Sequence, residues 1–214
     1  MGEGERIPAV VALLFMKLES ERVPRKNLRA VGGRPLFCWI FEALEAARHI
    51  DHVVLNTDSE LIVEEVTSRF DVTIHMRPRH LLEIDGNEAN QIIAHDLSLE
   101  PGTFFLQTHS TNPLVSPKTL DRAVETFFAV AVPAGYDSLF TVTEHKKRFF
   151  YPDGRPVNHD PKELIKTQEL EPLLEENSCV YIFSRTSFEV ESNRIGAKPF
   201  LMPISAAQAL DIDT

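Results

Sequence analysis

Residues 7–15, IPAVVALLF, run directly into MKLESERVPRKNL, residues 16–28. The first nine are almost uninterruptedly apolar, the pattern of a strand covered on both faces, as in the interior of a parallel sheet. The next stretch gathers Lys17, Arg22, Arg25, Lys26 and, just beyond it, Arg29 into a loop without helical period, with Pro24 fixing a turn ahead of Arg25-Lys26-Asn27. A strand that gives way to a basic loop and then a helix can hold a triphosphate by backbone N–H groups and side-chain cations. Arginine serves there as a planar two-pronged donor and lysine as a point charge. A solvated charged loop is the alternative, and composition alone does not separate the two. The spacing is not that of a P-loop, whose glycines end in Gly-Lys-Ser or Gly-Lys-Thr.

Downstream, Pro35 is placed to occupy the first turn of a helix whose apolar positions, from Leu36 and Phe37 to Leu44 and Ala47, recur at three and four. A strand over 52–55 ends in Asn56-Thr57-Asp58-Ser59, which offers N-caps for a helix over 60–69. Strands at 72–74, 103–106 and 138–142 then alternate with helices at 88–97 and 120–129. This alternation predicts an α/β domain with a mostly parallel sheet, helices on both sides and right-handed crossovers. Ligands of such sheets gather at the carboxyl ends of the strands, where the basic loop, residues 56–58 and Gln107 all fall. From Glu144 the pattern breaks: Lys146-Lys147-Arg148-Phe149-Phe150-Tyr151 runs into Pro152-Asp153-Gly154, predicting a projecting hairpin. Further strands are expected at 179–184 and 199–204. No repeat or low-complexity linker intervenes, so residues 1–214 are read as one domain with residues 144–170 as an extension within it.

The chain has 22 basic and 32 acidic residues and a net charge of −10, which disfavours nucleic acid and leaves no polybasic membrane surface. Against that background a local cation cluster points to a small anion. No stretch approaches the roughly 18 apolar residues of a membrane span, and residues 2–5, GEGE, do not resemble a signal peptide. A soluble, cytoplasmic protein is expected. Cys38 and Cys179 lie in apolar segments and read as reduced, buried thiols. The eight histidines show no zinc-type spacing.

The run SERVPRKNLRAVGGRPLFCWIFEAL, residues 20–44, resembles the N-terminal signature of the acylneuraminate cytidylyltransferases, the CMP-sialic acid synthetases. NTDSE at 56–60, RPRHLLEIDG at 77–86, LQTHSTNPL at 106–114, KTQELEPLLEENSCVYIF at 166–183 and DIDT at 211–214 follow in the family's order. The resemblance implies a Rossmann-like, three-layer nucleotidyltransferase that joins CTP to a nine-carbon sugar acid and releases pyrophosphate. By position it gives the triphosphate to Lys17, Ser20, Arg22, Lys26 and Asn27, with Arg77 near the nucleotide. It names Lys17, Arg22, Lys26 and Asp213 as the catalytic set. It assigns the sugar to Gln107, Lys166, Gln168, Asn177 and Tyr181, with Lys166 as the cation for the sugar carboxylate. Two of these keep plainer alternatives: Gln107 as a cap for the next segment and Tyr181 as core.

Asp211 and Asp213 flank Ile212, and in an extended segment they project to one side. Such a pair suits Mg²⁺, and the resemblance makes it the catalytic metal site; capping or merely terminal acids are the other reading. Family members continue into a further helix after this motif, and fraying there would weaken metal binding. Three departures stand out: Lys17 for the usual arginine, Leu18-Glu19 for Gly-Gly, and Glu21 for lysine. Losing the glycines removes easy positive φ and close backbone approach, which shifts phosphate binding onto Arg22 and Lys26. Glu21 either points to solvent or stands near Mg²⁺. The segment around THSTNP is longer than the family's, bringing His109 toward the sugar pocket. The aromatic hairpin implies a homodimer. The remaining alternatives are a synthetase for the eight-carbon acid Kdo and a non-catalytic nucleotide-binding relative.

Overall fold

The computed structural model describes residues 7–20, 22–82 and 88–213. Strand β1 (Val10–Met16) leads through the basic loop to a hairpin of β2 (Ala30–Val31) and β3 (Arg34–Pro35). There follow α1 (Leu36–Glu45), β4 (Ile50–Thr57), α2 (Glu60–Thr67), β5 (Thr73–Met76), α3 (Glu88–Leu99), β6 (Phe104–Thr108) and α4 (Pro117–Thr126). The chain ends with β7 (Ser138–His145), β8 (Leu173–Ser184), α5 (Arg185–Glu191) and β9 (Pro199–Pro203). Among the described residues seven strands form the main sheet in the order β5-β4-β1-β6-β8-β7-β9. All neighbours are parallel except that β8 runs antiparallel to both β6 and β7.

β1 is apolar throughout because helices cover both its faces. Val10, Ala12, Leu14 and Met16 enter one core with Phe37 and Phe41 of α1, Ile62 of α2 and Leu120 of α4. Val11 and Leu13 enter the other with Ile93 and Leu97 of α3 and Phe188 of α5. Each large apolar side chain so buried contributes about 1.5–3 kcal/mol, which fixes the three-layer α/β/α arrangement that the alternation predicted.

Several boundaries differ from those expected. Pro35 does not enter α1: it pairs with Ala30 in the β2–β3 hairpin and stays extended, so the helix begins at Leu36. That hairpin turns on Gly32 and Gly33, both at positive φ, and a Cβ on Gly32 would lie 2.9 Å from the Trp39 ring. β8 is twelve residues long and starts at Leu173, well before the expected 179. Its first turns leave the core for solvent, so their glutamates masked the strand. Helix α5 was not anticipated; seven residues with one buried apolar side chain, Phe188, give too short a periodic signal. α4 starts earlier than expected, with Pro117 after the Ser116 cap, and then relaxes into a π turn over Phe127–Ala131. In the extension, Phe150 bridges Pro156, leaving Phe150, Tyr151 and Leu164 exposed.

Candidate active site

The register aligns three carboxyl ends on one edge: Met16 pairs with Thr57, and Leu14 with Thr108. The basic loop leaves β1 there. Its backbone is tied to the next strand's end by the Leu18 N–H, which donates to Asp58 at 3.1 Å. Arg25 sits at φ 52°, a left-handed conformation uncommon for a residue with a side chain, and it turns Lys26–Leu28 into a short 3₁₀ segment that buries Asn27. Asn27 then locks the loop. Its amide donates to the Lys17 carbonyl at 3.3 Å, and its Oδ1 accepts from the Ser110 hydroxyl at 2.7 Å.

The far end of the sequence closes on this loop. The Ile212 N–H donates to the Thr111 carbonyl at 2.8 Å, an extended attachment that leaves Asp211 and Asp213 lining the same cleft. Lys26 Nζ donates to Asp213 Oδ1 at 2.9 Å and Arg22 Nη1 to Oδ2 at 2.6 Å. The hydrogen bond from Lys26, reinforced by its charge and by Arg22, outweighs desolvation and holds the Asp213 carboxyl below its ordinary range. The cleft encloses about 400 Å³, and Lys17, Ser20 and Lys26 reach it together with both aspartates. A larger hollow of about 700 Å³, between Ile7 and Asp51, lies at the opposite edge of the sheet, beside the amino ends of the parallel strands β1 and β4.

The opposite wall is built by β6 and a bulge in β8. Gln107 is fully buried at the end of β6; its Nε2 donates to the Thr108 carbonyl at 2.8 Å and lies 3.2 Å from His109 Nε2. His109 lines the cleft with its ring edge-on to Phe15. Desolvation, then the nearby Arg194 charge, lowers its pKa to about 4, so it is neutral near pH 7. Arg194 was not singled out in the sequence, where only a cation in the polar stretch Ser192-Asn193-Arg194 could have marked it. Its Nη1 donates to Gln107 Oε1 at 2.6 Å, and its guanidinium lies 3.7 Å over the Tyr181 ring. Between Phe140 and Val142 the β7–β8 register jumps from Tyr181 to Glu176. Asn177 fills that bulge, accepting from Thr141 Oγ1 at 2.7 Å and donating to Thr143 Oγ1 at 3.2 Å. Ser178, at φ 56°, is thereby turned into the cleft.

The fold brings together Lys17, Ser20, Arg22, Lys26, Asn27, Asp211 and Asp213, with Gln107 behind His109. Other expected positions lie elsewhere. Arg77 is buried, its Nε donating to Asn56 Oδ1 at 2.8 Å, in a network that continues from Asn56 Nδ2 to Asp96 Oδ1 at 2.6 Å. Burial pushes the Arg77 pKa down. Asn177 holds the bulge, and Tyr181 is fully buried beneath Arg194. Lys166 and Gln168 are exposed on the extension. Glu21, Asp85 and Thr214 fall outside the described residues.

Magnesium takes one or two carboxylates and completes its shell with phosphate oxygens and water. The aspartate pair fits that demand: both acids face the cleft, and Asp211 makes no hydrogen bond or ion pair among the described residues. Asp213 would exchange a cation contact for the metal. Among the described residues no group of three or more His, Cys, Asp or Glu forms a cage, so phosphate would have to complete the site.

A mostly parallel α/β/α sheet with a cation-lined polar cleft at its carboxyl edge defines a three-layer α/β protein whose candidate site suits an anionic ligand. The chain belongs to the cytidylyltransferase family, whose model matches residues 11–207. It is 25% identical over 188 residues to an N-acylneuraminate cytidylyltransferase of Oncorhynchus mykiss, covering 84% of this chain and 42% of that protein. It is 26% identical over 125 residues to a 3-deoxy-manno-octulosonate cytidylyltransferase of Lawsonia intracellularis, covering 58% of this chain and 48% of that protein. The chain thus spans about half the length of these curated relatives. Its fold is similar to that of a CMP:2-keto-3-deoxy-manno-octonic acid synthetase solved with CTP, with a TM-score of 0.70, 12% identity, and coverage of 97% of this chain and 94% of that one. No helix among the described residues is long and apolar enough to cross a membrane.

Proposed function

We propose that this chain transfers a cytidylyl group from CTP to a sialic-type nine-carbon sugar acid. The sugar's anomeric oxygen attacks the α-phosphorus, a new P–O bond forms, the bond to the β-phosphate breaks, and pyrophosphate leaves with the bonding electrons while the hydroxyl proton is lost. The observation that carries this reading is the junction of Lys26 and Arg22 with Asp213, 187 and 191 residues apart in sequence, on the cleft at the ends of β1 and β6. A loop of two cations facing an aspartate pair meets the needs of in-line phosphoryl chemistry, in which positioning and charge stabilisation supply most of the rate.

In this reading Lys17, Ser20, Arg22, Lys26 and Asn27 hold the triphosphate, and Arg77 acts from behind by fixing the strand ends next to it. Asp211 and Asp213 hold Mg²⁺, which when bound supplies charge neutralisation at the α-phosphate and the departing pyrophosphate. Gln107 and Asn177 shape the sugar wall, Tyr181 supports it, and Lys166 and Gln168 approach only if the extension of a second copy brings them. The exposed Phe150, Tyr151 and Leu164 support such a homodimer, and the two buried free cysteines suit the cytoplasm. The eight-carbon acid is the second reading, supported by the fold likeness and by the relative from Lawsonia.

The test is pyrophosphate release from each of four nucleoside triphosphates with N-acetylneuraminate, legionaminate, pseudaminate or Kdo, in Mg²⁺. Release with CTP and one nine-carbon acid is expected. Release with Kdo alone moves the substrate, and silence with all acids, while nucleotide still raises Tm, leaves a binding protein.

A further inference from the structure

The phosphate loop supplies the positive charge at one end of the cleft, and the other end has a cation of its own. Arg194 lines the same cleft as Lys26 and Asp213. Its backbone is pinned by a bond from its N–H to Asn90 Oδ1 at 3.1 Å, and the following Ile195 N–H donates to Asn193 Oδ1 at 3.0 Å. One face of the guanidinium rests on Tyr181 at 3.7 Å, and Nη1 is oriented by Gln107 Oε1 at 2.6 Å. The nearest acid on this wall, Glu176, is engaged by the Tyr181 hydroxyl. No carboxylate among the described residues forms an ion pair with Arg194. Burial disfavours its charge, yet a guanidinium stays protonated in proteins.

We propose that Arg194 is the residue that recognises the carboxylate of the acceptor sugar acid, an inference that rests on the cytidylyltransferase reading above. A partly desolvated guanidinium with an anchored plane and an N–H edge turned to a cleft binds a carboxylate through two parallel hydrogen bonds. Among the described residues on that wall no other carries positive charge: His109 is neutral, and Gln107, Ser110 and Ser178 offer only dipoles. Lys17, Lys26 and Arg22 belong to the phosphate end. The geometry therefore divides the cleft by charge, with the triphosphate against the loop and the sugar's acid group against Arg194, and the anomeric carbon that bears this carboxylate is drawn toward the α-phosphate. Gln107 acts here as a positioning residue for the guanidinium.

The experiment measures KM for the acceptor and for CTP with wild type, Arg194→Met and Arg194→Lys, using whichever acid in the panel supports pyrophosphate release and the methyl ester of that acid. Calorimetric titration of N-acetylneuraminate and Kdo into the same proteins with CTP present gives a second readout. Losing a charge-assisted contact should raise acceptor KM in R194M by roughly 10- to 100-fold. CTP KM and Tm should hold, R194K should fall between, and the preference of wild type for free acid over ester should collapse in R194M. An unchanged acceptor KM, or an acid-over-ester preference that survives in R194M, overturns the assignment and leaves the cytidylyltransferase reading standing. A rise in CTP KM alone moves Arg194 to the nucleotide and likewise overturns it. If no acid is turned over or bound by wild type, the function itself falls, and the assignment with it.

Discussion

Replacing Asp213 by asparagine keeps shape and removes one charge, and the structure separates what that does to stability from what it does to turnover. The Arg22 and Asp213 side chains are 63% and 50% exposed, so their pair contributes only about 0–1 kcal/mol. The Lys26 side chain is 12% exposed, and weakening the partner of its ammonium costs about 1–3 kcal/mol. Asparagine Oδ1 still accepts one of the two bonds, which places the total near the lower end, about 1–2 kcal/mol. At about 2–4 °C per kcal/mol for a chain of this size, Tm falls by only several degrees. If Asp213 holds Mg²⁺ as proposed, turnover loses one of the two carboxylates that fix the cation facing the developing negative charge, which sets an expected drop of about 10²–10³-fold. The change also leaves Arg22 and Lys26 without their internal anion, so CTP binding measured without Mg²⁺ should tighten. Because the folded pKa of Asp213 lies below the unfolded value near 3.9, the pair's contribution is complete above that value and is lost as pH falls through the depressed one. D213N should flatten that acid-side loss. Pyrophosphate release and thermal melting are the assays; a variant turning over at near-wild-type rate refutes the metal role, and weaker metal-free CTP binding refutes the masking of the loop cations.

Arg22→Ala should raise CTP KM far more than acceptor KM, since Arg22 stands at the loop end of the cleft; an unaffected nucleotide KM returns residues 16–28 to a solvated loop. His109 has a folded pKa of about 4 against about 6.5 unfolded, so the unfolded chain binds an extra proton between those values and stability falls as pH drops through that window. H109N should remove a slope of about one proton in denaturant titrations from pH 7 to 4, and an identical slope in both proteins would contradict the burial of this ring. A Cβ on Gly196 would come within 2.2 Å of Asp137 Oδ1, so Gly196→Ala should cost about 1–3 kcal/mol by overpacking and raise acceptor KM by shifting the segment that carries Arg194. Sedimentation should find a dimer that Tyr151→Asp with Leu164→Asp dissociates, and a wild-type monomer would leave the exposed extension without a self-association role.

The layered α/β architecture was legible because β1 is apolar on both faces and α1 repeats at helical spacing; both are local patterns that only a covered parallel strand and an amphipathic helix satisfy. The chemical bias of residues 16–28 was equally local, as was the likelihood that Asp211 and Asp213 share a side across Ile212. Residues 173–176 hid a strand because they are themselves half-buried or exposed, although Glu176 pairs with the buried Val142, and an exposed stretch of strand requires no hydrophobic alternation. The pairing of Lys26 with Asp213 spans 187 residues, and no local pattern encodes which distant carboxylate a cation will meet. Arg194 is the sharpest case. In sequence it is one more surface-type cation after a helix too short to recognise; the β8 bulge, the Tyr181 ring and the buried Gln107 carbonyl exist as its surroundings only after β6, β7 and β8 have paired. Composition and periodicity determined the apolar parallel strands, the helices α1 to α4 and the basic loop, because those follow from neighbours in the chain. Which charges face one another across the cleft was decided by tertiary structure alone, because electrostatic partners are set by distance in space.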